Sequence, residues 1–546
     1  MTFVLTKHTG TGFLLADGVL RLAGGEAGLG LATGAQGRVT LAVRGHLDTG
    51  QGPAVAGEQA ARRLMDSYLR NGETFLDGVT GGFGVLVDDA RTGRSYAARD
   101  AAGEGALFAA RTADRTAVGT GPAETAAAVG ADRPRLAAFA QFLTLNYPLA
   151  DGWYLDGVHP LAPGVLHLLT PDGPRPLRTT ASYPGRDARP ATVPPAGELT
   201  RALAEAGARL LDGPAALHLS GGVDTSLIAH ALHRLPHPGP LRTYSAFYRQ
   251  DDADRAWAAS VAAETGSDHR ELPIATEDFL DVVDRLTDAL GAPVMAIGVP
   301  TFWHLGRAAA QDGAPVVLSG VAADHPLVGW NRLDRLAAAP VDPGDLPVAC
   351  AVHVAPDILT PYLADGELRA AVAEVPAQLR ELMPYGESPA RSVERFHAEH
   401  FLPEHLRSAA VAHGLHGVGV RHPFLAPEVS ALGFRAASVR EEAVGKRYLR
   451  RELDSLGCWA ASRHGKQQQA LSFESFRAVA RERLLDRLAG DCDLFGLDTR
   501  ALARLAASDR PAPAQELRLL WLVHSYLTWR ERRPVAASTA PSPMPW

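Results

Sequence analysis

At 546 residues, with 46% apolar, 21% charged and 7% aromatic residues, the chain has a globular composition and is too long for one compact core. Its net charge of -7 comes from interspersed acids and bases, so it lacks the basic footprint of a nucleic-acid partner. Cys350, Cys458 and Cys492 are far apart and have neither disulfide-framework nor zinc-finger spacing, no apolar run reaches the roughly 18 residues of a membrane span, and no signal-peptide pattern opens the sequence; a cytoplasmic protein with inert thiols and no membrane partner is expected.

Over residues 1–169, short apolar runs such as Phe83 to Val87 and Val165 to Leu169 alternate with Gly- and Asp-rich turns, and helical periodicity is confined to Glu58–Asn71 and Arg135–Leu145. That pattern predicts an α+β domain on antiparallel sheets. Residues 170–197 carry seven prolines and little apolar surface, the composition of a linker. A regular alternation follows. An amphipathic segment at Glu198–Leu211 leads to a strand at Ala215–Leu219 and a helix opening near Asp224. A second strand at Leu241–Phe247 then precedes a helix at Asp254–Thr265. Strands separated by helices of this size predict a doubly wound parallel sheet within a domain spanning 198–533. From Ile358 onward the pattern is mainly helical, and residues 534–546 read as a frayed tail.

The chemistry is concentrated in AALHLSGGVDTSLIAHAL, an apolar strand, a Gly-rich turn and an apolar helix. Gly221 and Gly222 permit a tight turn with exposed backbone N–H groups. Ser220, Thr225 and Ser226 add hydroxyls, and a helix N-terminus adds positive potential, so the turn suits a pyrophosphate. Asp224 suits such a place only with a divalent cation between it and the phosphate, which points to Mg²⁺. No GxxxxGK[ST] loop is present. Further on, APVVLSGVAADHPLVGW repeats the strand-and-turn layout, with Ser319 and Gly320 ending the strand and Asp324 following where an open α/β sheet places ligands.

These residues resemble the asparagine synthetase family. The likeness runs through LSGGxDxS at Leu219–Ser226, SGxxAD at Ser319–Asp324, GVGVRHPFL at Gly417–Leu425 and GKRYLRREL at Gly445–Leu453. It implies an ATP pyrophosphatase in which Mg-ATP adenylates a carboxylate and an amine then displaces AMP. By the same resemblance Leu219, Ser220, Gly221, Gly222, Thr225 and Ser226 bind ATP and pyrophosphate, Asp224 and Asp324 hold Mg²⁺, and Ser319 with Gly320 lie beside the nucleoside. Lys446 is implied as a catalytic cation at the α-phosphate, and Glu404 as the group that helps deprotonate the amine, with a solvated surface role standing as its alternative. Lys466, with Arg463, resembles a loop over the nucleotide. Arg421 and His422 face either the acyl group or a structural partner, and His218 and His269 read as packed histidines.

The first half resembles the family's glutaminase domain, an Ntn-type antiparallel β-sandwich, through DGVTGGFGVLVDD, RDAAGEGALF and GVHPLAPGVLHLL. Its active form uses a cysteine after the initiator methionine, whereas Thr2 stands here and no cysteine precedes Cys350. An inactive glutaminase-like domain at 1–169 is therefore implied, and the amine must come from ammonia or from the substrate itself. β-Lactam synthetases carry a tyrosine, and asparagine synthetases usually a glutamate, where this chain has Val321, which relays no proton. The reading that remains is a macrocyclase of the lasso-peptide type, acting on a precursor peptide alongside a leader-peptide protease or recognition protein. A small-molecule cyclase, an ammonia-dependent ligase and a noncatalytic scaffold are the alternatives.

Overall fold

The computed structural model describes residues 28–48, 50, 52–149, 152–181, 192–211, 213–235, 239–249, 253–325, 345–382, 389–437, 446–458, 470–490 and 494–533, with the strand backbones 6–7, 13–16 and 19–22. In the first half, two sheets lie face to face. One runs in the order 173–179, 165–170, 94–99, 80–89, 39–48, 29–34, all antiparallel. The other runs 6–7, 19–22, 13–16, 116–119, 108–111, 158–160, and only its first pair is parallel.

Alternation along the strands decides which face goes where, because successive side chains point to opposite sides of a sheet. Ala42, Leu86 and Ala97 point to the opposing sheet and pack on Leu107, Ala109, Val118 and Leu161. Their neighbours Leu41, Val43, Val85 and Val87 point the other way, onto Leu64, Met65 and Tyr68 of the helix Gly57–Asn71. The stretch expected to be a linker is partly a strand: Gly173–Thr179 pairs with Val165–Thr170. It lies at the edge of its sheet, where Pro174 and Pro176 leave no ladder bond unmade toward a further strand. Residues 182–191 lie outside those described.

The second half opens on a parallel sheet in the order Asp268–Pro273, Arg242–Phe247, Ala216–His218, Val316–Leu318, Gly419–Arg421. Helices cover both faces, as expected of a doubly wound sheet. Leu203, Leu227, Val261, Leu432 and Leu449 join Leu217 and Leu318 on one side, while Leu305, Ala308 and Ala309 join Ala216, Tyr244 and Ala246 on the other. The last strand, three residues within GVGVRHPFL, is too short for its alternation to register in the sequence.

Glu452, fully buried on the helix Arg447–Ser455, accepts from the N–H groups of Gly197 (2.9 Å) and Thr200 (3.2 Å) and from the Thr200 hydroxyl (2.7 Å). It thereby caps the helix Glu198–Leu210, whose own N-cap residue is glycine. The described residues between 345 and 533 are mainly helical and share one core with the first half: Phe139, Phe142 and Tyr154 meet Tyr526 and Trp529 of the helix Ala514–Arg532.

Candidate active site

The strand order reverses between Ala216–His218 and Val316–Leu318, since the chain first builds outward to one side and then returns to the other. Beyond the carboxyl ends of such a pair lies the crevice where open α/β sheets bind ligands. The loops 219–224 and 319–324 both leave from there, and the helix Val223–His233 points its N-terminus into the same place.

Glycine sets how close these loops come. Gly221 has φ +75°, and a Cβ on it would stand 2.6 Å from the Ala258 nitrogen and 2.7 Å from Trp257 Cβ, so the turn is pressed against the helix Ala253–Glu264. A Cβ on Gly320 would meet Thr225 Cγ2 at 2.8 Å and Asp224 Cβ at 3.4 Å. The missing side chain at Gly320 is what lets one loop touch the other, and with it Asp324 reaches Asp224.

Between the two carboxylates sits Lys446. Its Nζ is 2.5 and 2.7 Å from the oxygens of Asp224 and 2.6 Å from Asp324 Oδ1. The lysine is buried and has the left-handed backbone φ +57°, ψ +40° at the N-cap of Arg447–Ser455, a conformation uncommon outside glycine and asparagine. Burial works to lower the ammonium's pKa, but the two carboxylates outweigh it and hold the pKa above the ordinary lysine value. Carboxylates that both touch one Nζ are placed to share one cation, so the donor set fits a hard divalent ion such as Mg²⁺ bound through two carboxylates and phosphate oxygens.

The other expected ATP contacts divide. Ser220 and Gly222 line the turn, but its hydroxyls are turned inward: Ser220 N donates to Thr225 Oγ1 (3.1 Å) and Gly222 N to Ser220 Oγ (3.2 Å). Leu219 is fully buried and gives its N–H to Tyr244 O at 2.8 Å, so it supports the loop from beneath. Ser226 is also fully buried, and its Oγ has no hydrogen-bond partner among the described residues. Ser319 is buried, accepts from Val321 N at 3.2 Å, and gives its own N–H to Arg421 O. Lys466 and Arg463 lie outside the described residues.

Glu404 does not stand as a free base. Both its oxygens accept from Arg407, at 2.9 Å from Nε and 2.6 Å from Nη2, and the pair is buried. Arg407 also donates to Leu290 O at 2.8 Å and lies over the rings of Phe108 (5.6 Å) and Trp153 (5.2 Å) in the first half. A carboxylate held by a bidentate guanidinium is fixed as an acceptor, so this geometry gives Glu404 a positioning role between the halves. Sequence reasoning singled out Glu404 and missed Arg407, although their i,i+3 spacing on a helix signals such a pair.

Behind the turn, His218 is packed, in keeping with its place in the strand. Its Nε2 is 3.1 Å from Nε2 of His413, whose Nδ1 is 2.7 Å from Ala409 O. A carbonyl only accepts, so Nδ1 of His413 carries its proton and Nε2 of His218 donates across the pair. Burial pushes His413 down to about 4, which keeps that tautomer neutral. Arg421 is buried and donates to Leu210 O; neither ring nitrogen of buried His422 makes a hydrogen bond among the described residues. His269 sits beside the hydroxyls of Thr243 (2.8 Å) and Ser245 (3.2 Å). A cleft lined by Arg242, Asp268, Arg270, Glu271 and Asp312 opens at the opposite, amino-terminal edge of the sheet, away from Asp224.

Residues 198–531 match the model of the asparagine synthase family. The chain belongs to the asparagine synthase family. Its second half is thus an ATP-dependent carbon–nitrogen ligase domain, and the carboxylate pair, Lys446 and the glycine turn all fall inside the matched range. A comparison with curated proteins gives no match. Among solved structures, the allosteric regulatory enzyme of purine biosynthesis is 12% identical over 44% of this chain and 62% of its own, with a TM-score of 0.19. Glutamine phosphoribosylpyrophosphate amidotransferase from B. subtilis, complexed with ADP and GMP, is 14% identical over 44% of this chain and 47% of its own, with a TM-score of 0.18. This chain spans less than two thirds of either structure, and superpositions this poor say nothing about its fold or activity.

Proposed function

We propose that this asparagine synthase family member activates a carboxylate as its acyl-adenylate, releasing pyrophosphate, and then joins it to an amine of the same substrate, releasing AMP. The convergence of Asp224 and Asp324 on one cationic atom, at adjacent parallel strand ends, carries this reading. ATP is the substrate of the first step. Asp224 and Asp324 would hold Mg²⁺, whose chemistry is to neutralise charge on the phosphates. The turn at Ser220–Gly222 and the N-terminus of Val223–His233 orient the leaving pyrophosphate, and Lys446 stabilises charge at the α-phosphate and at the tetrahedral centre formed when the amine attacks.

The first half is read as an Ntn-type sandwich without glutaminase activity, for no cysteine precedes Cys350. Val321 belongs to an apolar patch with Ala102, Leu402 and Leu406, which gives it no part in proton transfer and argues against the small-molecule branches with tyrosine or glutamate at that place. The substrate class favoured is a precursor peptide whose own N-terminal amine attacks an internal Asp or Glu, a lasso-type macrocyclisation. The test incubates the full chain with Mg-ATP and a peptide bearing both groups. AMP, pyrophosphate and a product lighter by one water are expected. ADP and phosphate as products would overturn the adenylation, while AMP release with no cyclic product for any amine-bearing peptide would overturn the macrocyclase assignment alone.

A further inference from the structure

The three helices that build the active site end together at their far ends. His230 lies in the last turn of Val223–His233, Glu264 closes Ala253–Glu264, and Cys458 follows Arg447–Ser455. The backbone places Cys458 firmly: Gly457 has φ +80°, its N–H bonds to Asp454 O at 3.0 Å, and the Cys458 N–H bonds to Leu453 O at 2.9 Å, the paired bonds of a Schellman ending.

One ligand atom from each of His230, Glu264 and Cys458 lies within 4.8 Å of the others. The buried Nε2 of His230 faces Glu264 Oε2 at 3.3 Å, an ion-pair contact that a metal would replace. The Cys458 thiol has only a weak contact with Leu456 O, at 3.8 Å. Imidazole, thiolate and carboxylate together are a borderline nitrogen, sulfur and oxygen set, which suits tetrahedral zinc over the hard oxygen-seeking ions. His233 and Arg234 are the nearby basic groups that oppose a cation, the Glu264 carboxylate offsets them, and burial pushes the Cys458 thiol up to about 11, so the metal must displace its proton.

We propose that His230, Glu264 and Cys458 bind Zn²⁺, with water as the fourth ligand. Binding displaces the thiol proton to solvent and forms one metal–sulfur bond. The ion ties together the helices whose opposite ends carry Asp224, the Trp257 support of Gly221, and Lys446, so it acts as a staple behind the ligase site. The distant cysteines hid this set because its members come from three separate helices and share no sequence spacing.

The experiment strips the full chain with EDTA and titrates it with Zn²⁺ and, separately, Co²⁺, with excess Mg²⁺ present to occupy the ATP-site carboxylates. One equivalent of zinc and a thiolate-to-cobalt charge-transfer band in the near ultraviolet are expected. Cys458→Ser should abolish that band and weaken zinc binding by about a hundredfold or more, given that even outer-shell losses reach that size. Circular dichroism confirms that the variant folds, and His230→Gln serves as a second, independent ligand loss. A folded wild-type chain without the band, or a Cys458→Ser variant that binds zinc as tightly as the wild type, would show a packed core thiol and overturn the site. Because the band reports sulfur ligation alone, the result does not depend on the reaction the enzyme catalyses.

Discussion

Lys446 neutralises two carboxylates that would otherwise face each other across the crevice, and this dictates what its removal does. Lys446→Met should lower the rate of AMP release by about 10² to 10³, the usual cost of removing a group that stabilises transition-state charge. The same variant should gain more thermal stability from added Mg²⁺ than the wild type does, because a divalent ion then relieves the repulsion between Asp224 and Asp324. Equal shifts in the two proteins would remove the two aspartates from the metal assignment. The ammonium's pKa is raised in the folded chain, so its stabilising contribution is complete below the ordinary value of 10.5 and is lost only as pH climbs through the higher folded value. At this scale the meeting of the two aspartate-bearing turns was legible, since each follows an apolar strand and the two motifs repeat one layout along the chain. The inward turn of Thr225 and the burial of Ser226 were not, because a hydroxyl reads the same in sequence whether it faces a ligand or its own loop.

At the scale of elements, two contacts decide whether the crevice forms. Gly320→Ala would force a methyl group into Thr225 and part the loops; ATP-dependent turnover should fall at least tenfold, by an order-of-magnitude estimate for displaced catalytic groups, while the circular dichroism spectrum stays native. Unchanged turnover would mean the loops need not touch. Glu452→Gln keeps the shape but removes the charge that caps Glu198–Leu210, and chemical denaturation should show a loss of about 1 to 3 kcal/mol. Most elements could be read from periodicity: the expected strand at Leu241–Phe247 is Arg242–Phe247, and the expected helix at Asp254–Thr265 is Ala253–Glu264. The strand at Gly173–Thr179 was hidden because its prolines mimic a linker, and the cap by Glu452 because its partners lie about 250 residues away in the sequence.

For the molecule as a whole, the shared core of Phe139, Tyr154, Tyr526 and Trp529 predicts one cooperative unit. Calorimetry of the full chain should show a single unfolding transition, and two well-separated transitions would mean the halves fold apart. Acid should weaken that unit. His413 and His422, held down at about 4 and about 3 chiefly by burial, resist protonation when folded, so the unfolded chain binds more protons once pH drops below about 6.5. Melting temperatures should therefore decline between that point and the folded values, and His422→Phe should flatten the slope. The composition of residues 170–197 suggested a division into two halves, but the interior that both share was not legible, because an apolar stripe on a helix says that it is covered without saying by what.

The clasp of Arg407 between Phe108 and Trp153 sets a direction for descent with modification. A first half that props up the ligase interior in this way cannot be shed by deletion. Drift should then be lopsided across a lineage: the side of the sandwich turned toward Ala514–Arg532 stays nearly frozen, and the side turned toward water wanders freely.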